Sequence, residues 1–332
     1  MQPSSPDVRP REGDPSSGPG GRRRRRLSLS ARETLWAYLF LLLPLAFYGF
    51  LRIYPAVQSF NLSLHRWHVD PAKRVFLGLT YYRELVADPK LHRALLNTLY
   101  YAAIIVPAQL VLGLGIAVML NAVRRLRPIF RAIYFSPYVT PAAAVAWVWG
   151  WMYSVNFGLF NNAIVAWDNF VTHLGLPWIQ VPTLAFLSDP RQALPAVAVV
   201  VVWQQLGFQV VIFLAGLQGI PRMFYDAASI DGANSLQRFR FITLPLLNPV
   251  MVFSVVISTI ATLQLFDQVV NINFTDQGGP LNATLSIAVY MYQLAFARFQ
   301  IGYASAVTVL LFVLILIVTL AQLRLLQRRV EY

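Results

Sequence analysis

The sequence has no cysteine and unusually few charged residues. The absence of cysteine excludes disulfide bonds, thiolate metal sites and cysteine nucleophiles, and it leaves the redox compartment open. Charged residues make up only 12% of the chain, against roughly 25% in an average soluble domain, whereas 57% of its residues are hydrophobic. This is the composition of an integral membrane protein.

The side chains that ATP hydrolysis and metal catalysis need are also scarce. The only lysines are Lys73 and Lys90, and neither follows a glycine as the nucleotide-binding motif G-x-x-x-x-G-K-[ST] requires. The four histidines lack metal-ligand spacing, and no set of Ser, His and acid converges within the apolar runs. These histidines are His65, His68, His92 and His173. We therefore expect no catalytic residue, no metal site and no bound cofactor on this chain.

Six apolar runs are long enough to cross a membrane, for which about 20 residues are needed. They cover residues 35–54, 94–120, 130–152, 194–219, 243–270 and 302–323. The fold class that they predict is an all-α integral membrane protein with six transmembrane helices, formed by residues 31–332. Kinks are expected at prolines in or beside these runs, namely Pro44, Pro107, Pro137, Pro141 and Pro195.

Basic residues predict the orientation of the chain. Residues 1–30 contain five consecutive arginines among Pro, Gly and Ser, and they cannot bury enough apolar surface to fold. We read them as a disordered basic tail beside membrane lipid rather than a nucleic-acid-binding arm. Further Lys and Arg accumulate in 121–131, in 220–242 and at the end of the chain. Both termini are therefore expected in the cytoplasm.

The predicted cytoplasmic segment 220–242 is more ordered than a plain connection requires. Pro221 can start a helix, Gly232 can supply a turn, and a second helical piece follows from Ala233. Small residues in this bend allow close approach of another protein, which Tyr225 and Ile230 could contact. The alternative is an amphipathic helix on the inner leaflet, which would need several basic residues on one face. The arginines of this segment are few and scattered.

Polar side chains inside the fourth and fifth runs suggest a substrate path. Gln264, Asp267, Gln268 and Asn271 have helical offsets of 0, 3, 4 and 7, which would place them on one face. The fourth run adds Trp203, Gln204, Gln205 and Gln209. Amides, a carboxylate and an aromatic ring are suited to a sugar, whose hydroxyls and apolar ring face they can contact. The alternative is that the amides only form interhelical hydrogen bonds.

Several stretches resemble the membrane permease subunits of binding-protein-dependent ABC importers, in the branch that takes up sugars. The family signature is E-A-A, three residues, G, nine residues and I-x-L-P. This chain has "DAASIDG", nine residues and "ITLP", with Asp226 in place of Glu. The segments "SPYVTPAAAVAWVW", "VVWQQLGFQVVIFLAGLQGIP", "FDQV", "GGPLNATLSIAVYMYQLAF" and "GYASAV" also look like that family, in the same order.

The resemblance implies a type I ABC importer permease fold in a bacterial or archaeal inner membrane. Its loop 220–242 would form coupling helices that seat on an ATPase subunit. The coupling residues would be Tyr225, Asp226, Ala227, Ala228, Ile230, Asp231 and Gly232. The implied partners are a second permease in a heterodimer, two ATP-binding cassette subunits that use ATP and Mg, and an extracytoplasmic solute-binding protein.

The substrate is expected to be a neutral monosaccharide or oligosaccharide, because no Lys or Arg lies deep in the predicted spans. An ion-gradient-driven secondary carrier and a non-transporting membrane scaffold are the alternative functions. Asp267 is the one acid predicted inside a span, whereas a proton-coupled carrier is expected to have a chain of titratable groups across the membrane.

Overall fold

The computed structural model describes residues 29–123, 127–179, 181–273 and 276–326. The predicted basic tail, residues 1–30, lies almost entirely outside these described residues. The chain divides into two compact units, Met1–Pro55 and Ala56–Tyr332. In the described residues the secondary structure is helical except for one antiparallel pair of two-residue strands, β1 (His65–Arg66) and β2 (Val75–Phe76).

The helices account for most of the described chain. In order they are α1 (Leu29–Tyr48), α2 (Tyr54–Leu62), α3 (Thr80–Ala87), α4 (Pro89–Ala122), α5 (Arg127–Val139), α6 (Ala142–Met152), α7 (Leu159–His173), α8 (Pro190–Gly219), α9 (Arg222–Ile230), α10 (Ser235–Arg238), α11 (Leu244–Leu263), α12 (Asp267–Ile272), α13 (Ile287–Tyr292) and α14 (Ile301–Leu326). The first unit contains α1, a π-helical turn and the start of α2.

The two longest helices, α4 and α8, begin in the same way. Asp88 precedes Pro89, and its carboxylate accepts hydrogen bonds from the backbone amides of Lys90 (2.9 Å) and Leu91 (3.2 Å). At the start of α8, Asp189 accepts from the amide of Arg191 at 2.8 Å. An aspartate cap satisfies free amides of the first turn, and the proline after it has no amide hydrogen to satisfy. The dipeptide Asp-Pro thus fixes both helix starts.

Two prolines explain why α2 and α11 follow π-helical turns. The turn Gly49–Ile53 precedes Pro55, and the turn Phe239–Thr243 precedes Pro245. In each case the residue before the proline donates its amide to the carbonyl five residues back. Since proline has no amide hydrogen, the ordinary bond to the residue four positions back is lost and the helix widens locally.

Five helical stretches are long and apolar enough to cross a membrane, within the part of the chain that is described. They are Arg32–Leu62, Pro89–Ala122, Pro190–Gly219, Ser235–Leu263 and Ile301–Leu326. These correspond to the first, second, fourth, fifth and sixth predicted spans.

The predicted third span, 130–152, is interrupted at Pro141, one of the prolines at which a kink is expected. The structure divides it into α5 and α6. Pro141 lies at the break, where its backbone is extended at φ −53° and ψ 130°. A proline disfavours helical geometry at the residue before it and cannot donate to the preceding turn, so the helix is interrupted there.

The second unit is built around the contact of α4 with α8, against which α5 and α11 also pack. Close approach requires glycine at Gly207, where an added Cβ would lie 2.1 Å from the carbonyl oxygen of Tyr134 on α5. Gly113 on α4 has a similar role, because its Cβ would lie 2.8 Å from the Cβ of Gln209. Small residues at such contacts let helix backbones pack tightly without a hydrophobic driving force from water.

Two separate hydrophobic clusters line this central pair. On α4 the first cluster ends at Ile105 and the second begins at Ala117; on α8 the first ends at Val201 and the second begins at Val210. Between the clusters lie the buried glutamines of both helices. We call the set Gln109, Gln204, Gln205, Gln209, Ser254, Ser258 and Gln268 the polar layer.

A buried segment next to the first cluster consists of the non-helical residues 283–286 and the first residues of α13. The segment lies between the fifth and sixth predicted spans, and the side chains of 283–290 are buried. The amide of Asn97 donates to the carbonyl oxygens of Asn282 (2.8 Å) and Leu285 (3.0 Å), and Tyr101 donates to that of Thr284 (3.1 Å). Non-helical backbone at membrane depth must be satisfied in this way by other protein groups.

Candidate functional site

The segment 220–242 folds as a helical hairpin, formed by α9 and α10. Helix α9 ends in a Schellman motif, in which Ala233 donates its amide to the carbonyl of Ala228 (2.9 Å) and Gly232 donates to that of Ser229 (3.2 Å). Gly232 has φ +77°, a conformation that glycine adopts at little cost. The predicted helix, turn and second helix are therefore present with the turn at Gly232.

Side-chain hydrogen bonds hold the hairpin in shape. Asn234 and Gln237 form a capping box at the start of α10. Arg238 donates to the hydroxyl of Ser229 at 3.0 Å, which joins the two helices. The hydroxyls of Tyr225 and Thr243 are 3.0 Å apart and link α9 to the beginning of the next long helix. The hairpin is thus tied directly to α11.

The two faces of α9 have different surroundings. Tyr225 is partly buried and packs against the second hydrophobic cluster, so it faces the chain's own helices. Asp226, Ala227 and Ile230 lie on the opposite, exposed face, with Ile230 88% exposed. The remaining predicted coupling residues lie beside this face: Ala228 is partly buried, and Asp231 and Gly232 are exposed in the turn.

Two apolar residues of the exposed face were missed in the sequence. Met223 is 69% exposed and lies three, four and seven positions before Asp226, Ala227 and Ile230, which places all four on one face. Leu236 on α10 is 74% exposed. The helical offsets alone could have found Met223. Exposed apolar side chains at an otherwise polar helix end are typical of protein contact surfaces.

Within the polar layer, Gln204 connects three segments of the chain. Its amide nitrogen donates to the carbonyl of Thr140, in the break between α5 and α6, at 3.0 Å. Its carbonyl oxygen accepts from Gln268 of α12 at 2.8 Å. Both glutamines are buried. Gln204 thus donates a hydrogen bond to the backbone carbonyl of Thr140, which the helix break at Pro141 leaves without a helical partner.

Gln209 and Gln109 form the remaining interhelical contacts. Gln209 hydrogen bonds to the hydroxyls of Ser254 and Ser258, so it links α8 to α11. Gln109 of α4 donates to Gln205 of α8 at 3.0 Å. The carbonyl oxygen of Gln109 is buried and has no hydrogen-bond partner among the described residues. Among the described residues, the polar layer thus contains one acceptor without a hydrogen bond, the side-chain oxygen of Gln109.

The prediction that the polar residues of the fifth run share one helical face is wrong. Helix α11 ends at Leu263, and Gln264 has φ −97° and ψ 15°, so the chain turns before α12 begins at Asp267. Gln268 points into the bundle, whereas Gln264 and Asp267 are exposed. Asn271 donates to the carbonyl of Asp267 within its own short helix at 2.7 Å. Only Gln268 of this set joins the polar layer.

Trp203 lies at the edge of the layer, beside an aromatic cluster. It is 42% exposed, and its ring centroid lies 5.4 Å from that of Trp149. Trp149 in turn contacts Tyr153 and Phe160, with centroids at 5.5 and 5.8 Å. An exposed tryptophan next to amides is a combination that can cover the apolar ring face of a sugar while the amides bond its hydroxyls.

The end of the bundle opposite the hairpin has a charged cavity of about 660 Å³, lined among others by Asp88, Lys90 and Arg298. The hydroxyls of Tyr290 and Tyr303 donate to Asp88 at 2.5 and 2.9 Å. Burial by itself raises the pKa of Asp88, but hydrogen bonds from the two tyrosines and from backbone amides outweigh it and hold the pKa below its usual value. Asp88 therefore joins the start of α4 to α13 and α14 as an anion.

Comparison with known proteins agrees with this architecture. Residues 109–332 match the family described as the binding-protein-dependent transport system inner membrane component. The chain is 34% identical over 301 residues to the lactose transport system permease protein LacF of Rhizobium radiobacter, covering 90% of this chain and 96% of that protein. It is 33% identical over 299 residues to the trehalose/maltose transport system permease protein MalF of Thermococcus litoralis, covering 89% and 95%.

Solved structures show the same fold. A bacterial ABC transporter that imports the acidic polysaccharide alginate has a chain with a TM-score of 0.74 and 21% identity, covering 91% of this chain and 98% of that one. The chain therefore belongs to the family of binding-protein-dependent transport system inner membrane components. It is a membrane permease subunit of an ABC importer and not an enzyme, and the ATPase is a separate subunit.

Proposed function

We propose that this permease imports a neutral sugar, delivered by an extracytoplasmic solute-binding protein. The relatives LacF and MalF carry the names of lactose and trehalose/maltose transport systems, and they cover nearly the whole chain. The observation that carries the proposal is that the buried polar side chains of the described residues, those of the polar layer included, are amides and hydroxyls with no charged group among them. These groups bond one another in this structure, and during transport they would exchange those bonds for bonds to sugar hydroxyls, without requiring an anionic or cationic substrate.

The α9–α10 hairpin is proposed as the contact with the ATPase. Its exposed face, with Met223, Asp226, Ala227 and Ile230, is free to enter a groove on a partner subunit. The hydrogen bond between the hydroxyls of Tyr225 and Thr243 and the short connection to Gly219 make the hairpin a rigid extension of α8 and α11. A displacement of the hairpin would therefore move the two helices that carry most of the polar layer.

The assembly is proposed to contain this chain and a second permease as a heterodimer, with two ATP-binding cassette subunits that hydrolyse ATP with Mg. The orientation is part of the proposal, with the hairpin and both termini in the cytoplasm, as the distribution of basic residues favours. Residues 31–332 would then form one permease domain with six membrane spans, in which α5 and α6 together make the third span.

Cysteine cross-linking tests the coupling contact, because the chain has no cysteine of its own. Ile230→Cys, on the exposed face, should cross-link to an ATPase subunit in membranes that contain the whole transporter. Phe299→Cys, 73% exposed beside the charged cavity at the opposite end, is the control and should not. If Ile230→Cys fails to cross-link, or if it is labelled from outside the cell, the proposed coupling role and orientation are wrong.

Uptake by the reconstituted transporter tests the substrate path. Trp203→Ala should raise the sugar concentration needed for half-maximal uptake about fivefold, since loss of an aromatic stacking contact costs about 1 kcal/mol. Trp178→Ala, which removes a 74% exposed tryptophan distant in sequence, is the matched control. Equal uptake by both variants would contradict a sugar contact at Trp203. Uptake driven by an ion gradient without ATP would favour the secondary carrier instead.

A further inference from the structure

A cavity of about 620 Å³ lies between α5 and α8, at the end of the bundle that carries the hairpin. Its walls are largely apolar and include Phe135, Val211 and Leu214. Arg127 and Arg131, from the first turns of α5, line it as well. The cavity therefore combines two guanidinium groups with an apolar surface that lies along the membrane-spanning part of α8.

The two arginines differ in how they are held. Arg127 donates from Nε to the carbonyl of Leu120 (3.2 Å) and from Nη2 to that of Asn121 (2.6 Å), so its position is fixed by the end of α4. A guanidinium has five N–H donors, and the others remain available. Arg131 is exposed and its side chain has no hydrogen bond or ion pair with the described residues. No carboxylate is among the described residues that line the cavity.

An uncompensated pair of arginines next to an apolar wall fits an amphiphilic anion. A soluble anion would gain nothing from Phe135, Val211 and Leu214, whereas a phospholipid can place its acyl chain against them and its phosphate on the guanidinium groups. Basic pockets between transmembrane helices on the cytoplasmic side are known to take the headgroups of anionic lipids.

We propose that this cavity binds an anionic phospholipid of the cytoplasmic leaflet, with its phosphate on Arg131 and Arg127 and an acyl chain along Val211 and Leu214. The proposal rests on the orientation given under the proposed function. It requires neither a particular sugar nor the contact of the hairpin with an ATPase. The lipid would occupy a groove on α8 about two to three turns before the hairpin begins at Pro221.

The test is retention of lipid by the purified, assembled transporter in mixed micelles of phosphatidylglycerol and phosphatidylcholine, counted by native mass spectrometry and titrated with fluorescent phosphatidylglycerol. The wild-type protein should bind phosphatidylglycerol in preference to phosphatidylcholine. Arg131→Gln should weaken phosphatidylglycerol binding about five- to tenfold, since a basic residue near lipid contributes about 1 kcal/mol or somewhat more when held in a pocket. Phosphatidylcholine binding should not change.

Two further variants keep the test decisive. Arg222→Gln removes the same charge at the same end of the molecule but outside the cavity, and it should bind phosphatidylglycerol like the wild type. Ala215→Trp fills the cavity without removing a charge, and it should lose the bound lipid. Equal binding of both lipids, an unchanged Arg131→Gln variant, an equal loss in Arg222→Gln, or displacement by millimolar inorganic phosphate would each overturn the proposal. Transport failure with intact lipid retention would contradict only the proposed function.

Discussion

In the α9–α10 hairpin, the side-chain hydrogen bonds join residues that are 18 positions apart or fewer, such as Tyr225 with Thr243 and Ser229 with Arg238. In the polar layer they join residues at least 45 positions apart, such as Gln209 with Ser254. The hairpin can therefore form its shape from its own sequence, whereas the layer exists only when α4, α8, α11 and α12 have assembled.

The two regions also differ in which side chains they expose. The hairpin satisfies its polar groups locally and exposes apolar side chains such as Ile230 and Leu236. The layer uses nearly all its polar groups to connect helices, and all its members except the partly exposed Gln205 are buried. Changes in the exposed face of the hairpin should consequently alter coupling with little effect on stability, while changes in the layer should affect stability first.

The largest expected effect is that of Gly232→Pro on transport. Proline cannot adopt the φ of +77° found at this position, and it removes the amide that bonds to Ser229. ATP-driven uptake should fall to background while the permease remains in the membrane. The control is Gly219→Ala at the end of α8, where a Cβ meets no atom within 4 Å and uptake should persist. Normal uptake by Gly232→Pro would show that transport does not require the turn of the hairpin at Gly232.

The next effect is loss of stability on changing Gln209→Leu. This substitution leaves the buried hydroxyls of Ser254 and Ser258 without their partner, which should cost about 1–3 kcal/mol in the free energy of unfolding. Thermal unfolding in detergent measures the change. Gln264→Leu replaces an exposed glutamine just after α11 and serves as the control. A Gln209→Leu variant as stable as Gln264→Leu would show that the layer does not hold the bundle together.

A smaller effect is expected for the pair Gln204 and Gln268, and a double-mutant cycle isolates it. Because the two amides bond directly at 2.8 Å, the variants Gln204→Leu and Gln268→Leu should be coupled by about 0.6–1.7 kcal/mol. Unfolding of both single variants and the double variant gives the coupling energy. Strictly additive effects would mean that this hydrogen bond does not stabilise the fold. That result would favour a role of Gln268 in contacting the sugar.

The smallest effect is expected for Tyr225→Phe. The change removes one hydroxyl that bonds to Thr243 at 3.0 Å and keeps the ring packed against the second cluster, so the cost should be about 0.5–1.5 kcal/mol. Faster hydrogen exchange of the α9 amides relative to those of α8 would report it. Ser235→Ala, on the exposed side of α10, is the control. Unchanged exchange in Tyr225→Phe would show that this bond does not attach α9 to α11.

Much of the architecture could be predicted from sequence because it depends on local rules. Length and hydropathy identified five of the spans, and the helix, turn and second helix of the hairpin followed from Pro221 and Gly232. The kink of the third span at Pro141 was expected from sequence, but the partner of the free carbonyl at Thr140, the distant Gln204, could not be predicted. Periodicity could not reveal the end of α11 at Leu263, because no Gly or Pro marks it and the offsets of Gln264, Asp267, Gln268 and Asn271 fit a continuous helix.

The sequence by itself determined the membrane class, the hairpin and the family, since each depends on composition or on contacts between near neighbours. Only the tertiary structure decided which glutamine bonds to which serine or amide, that residues 283–290 are buried, and that Arg127 and Arg131 share a cavity with α8. The physical reason is that a buried amide must find its partner wherever packing brings one, and that choice depends on how all the helices meet.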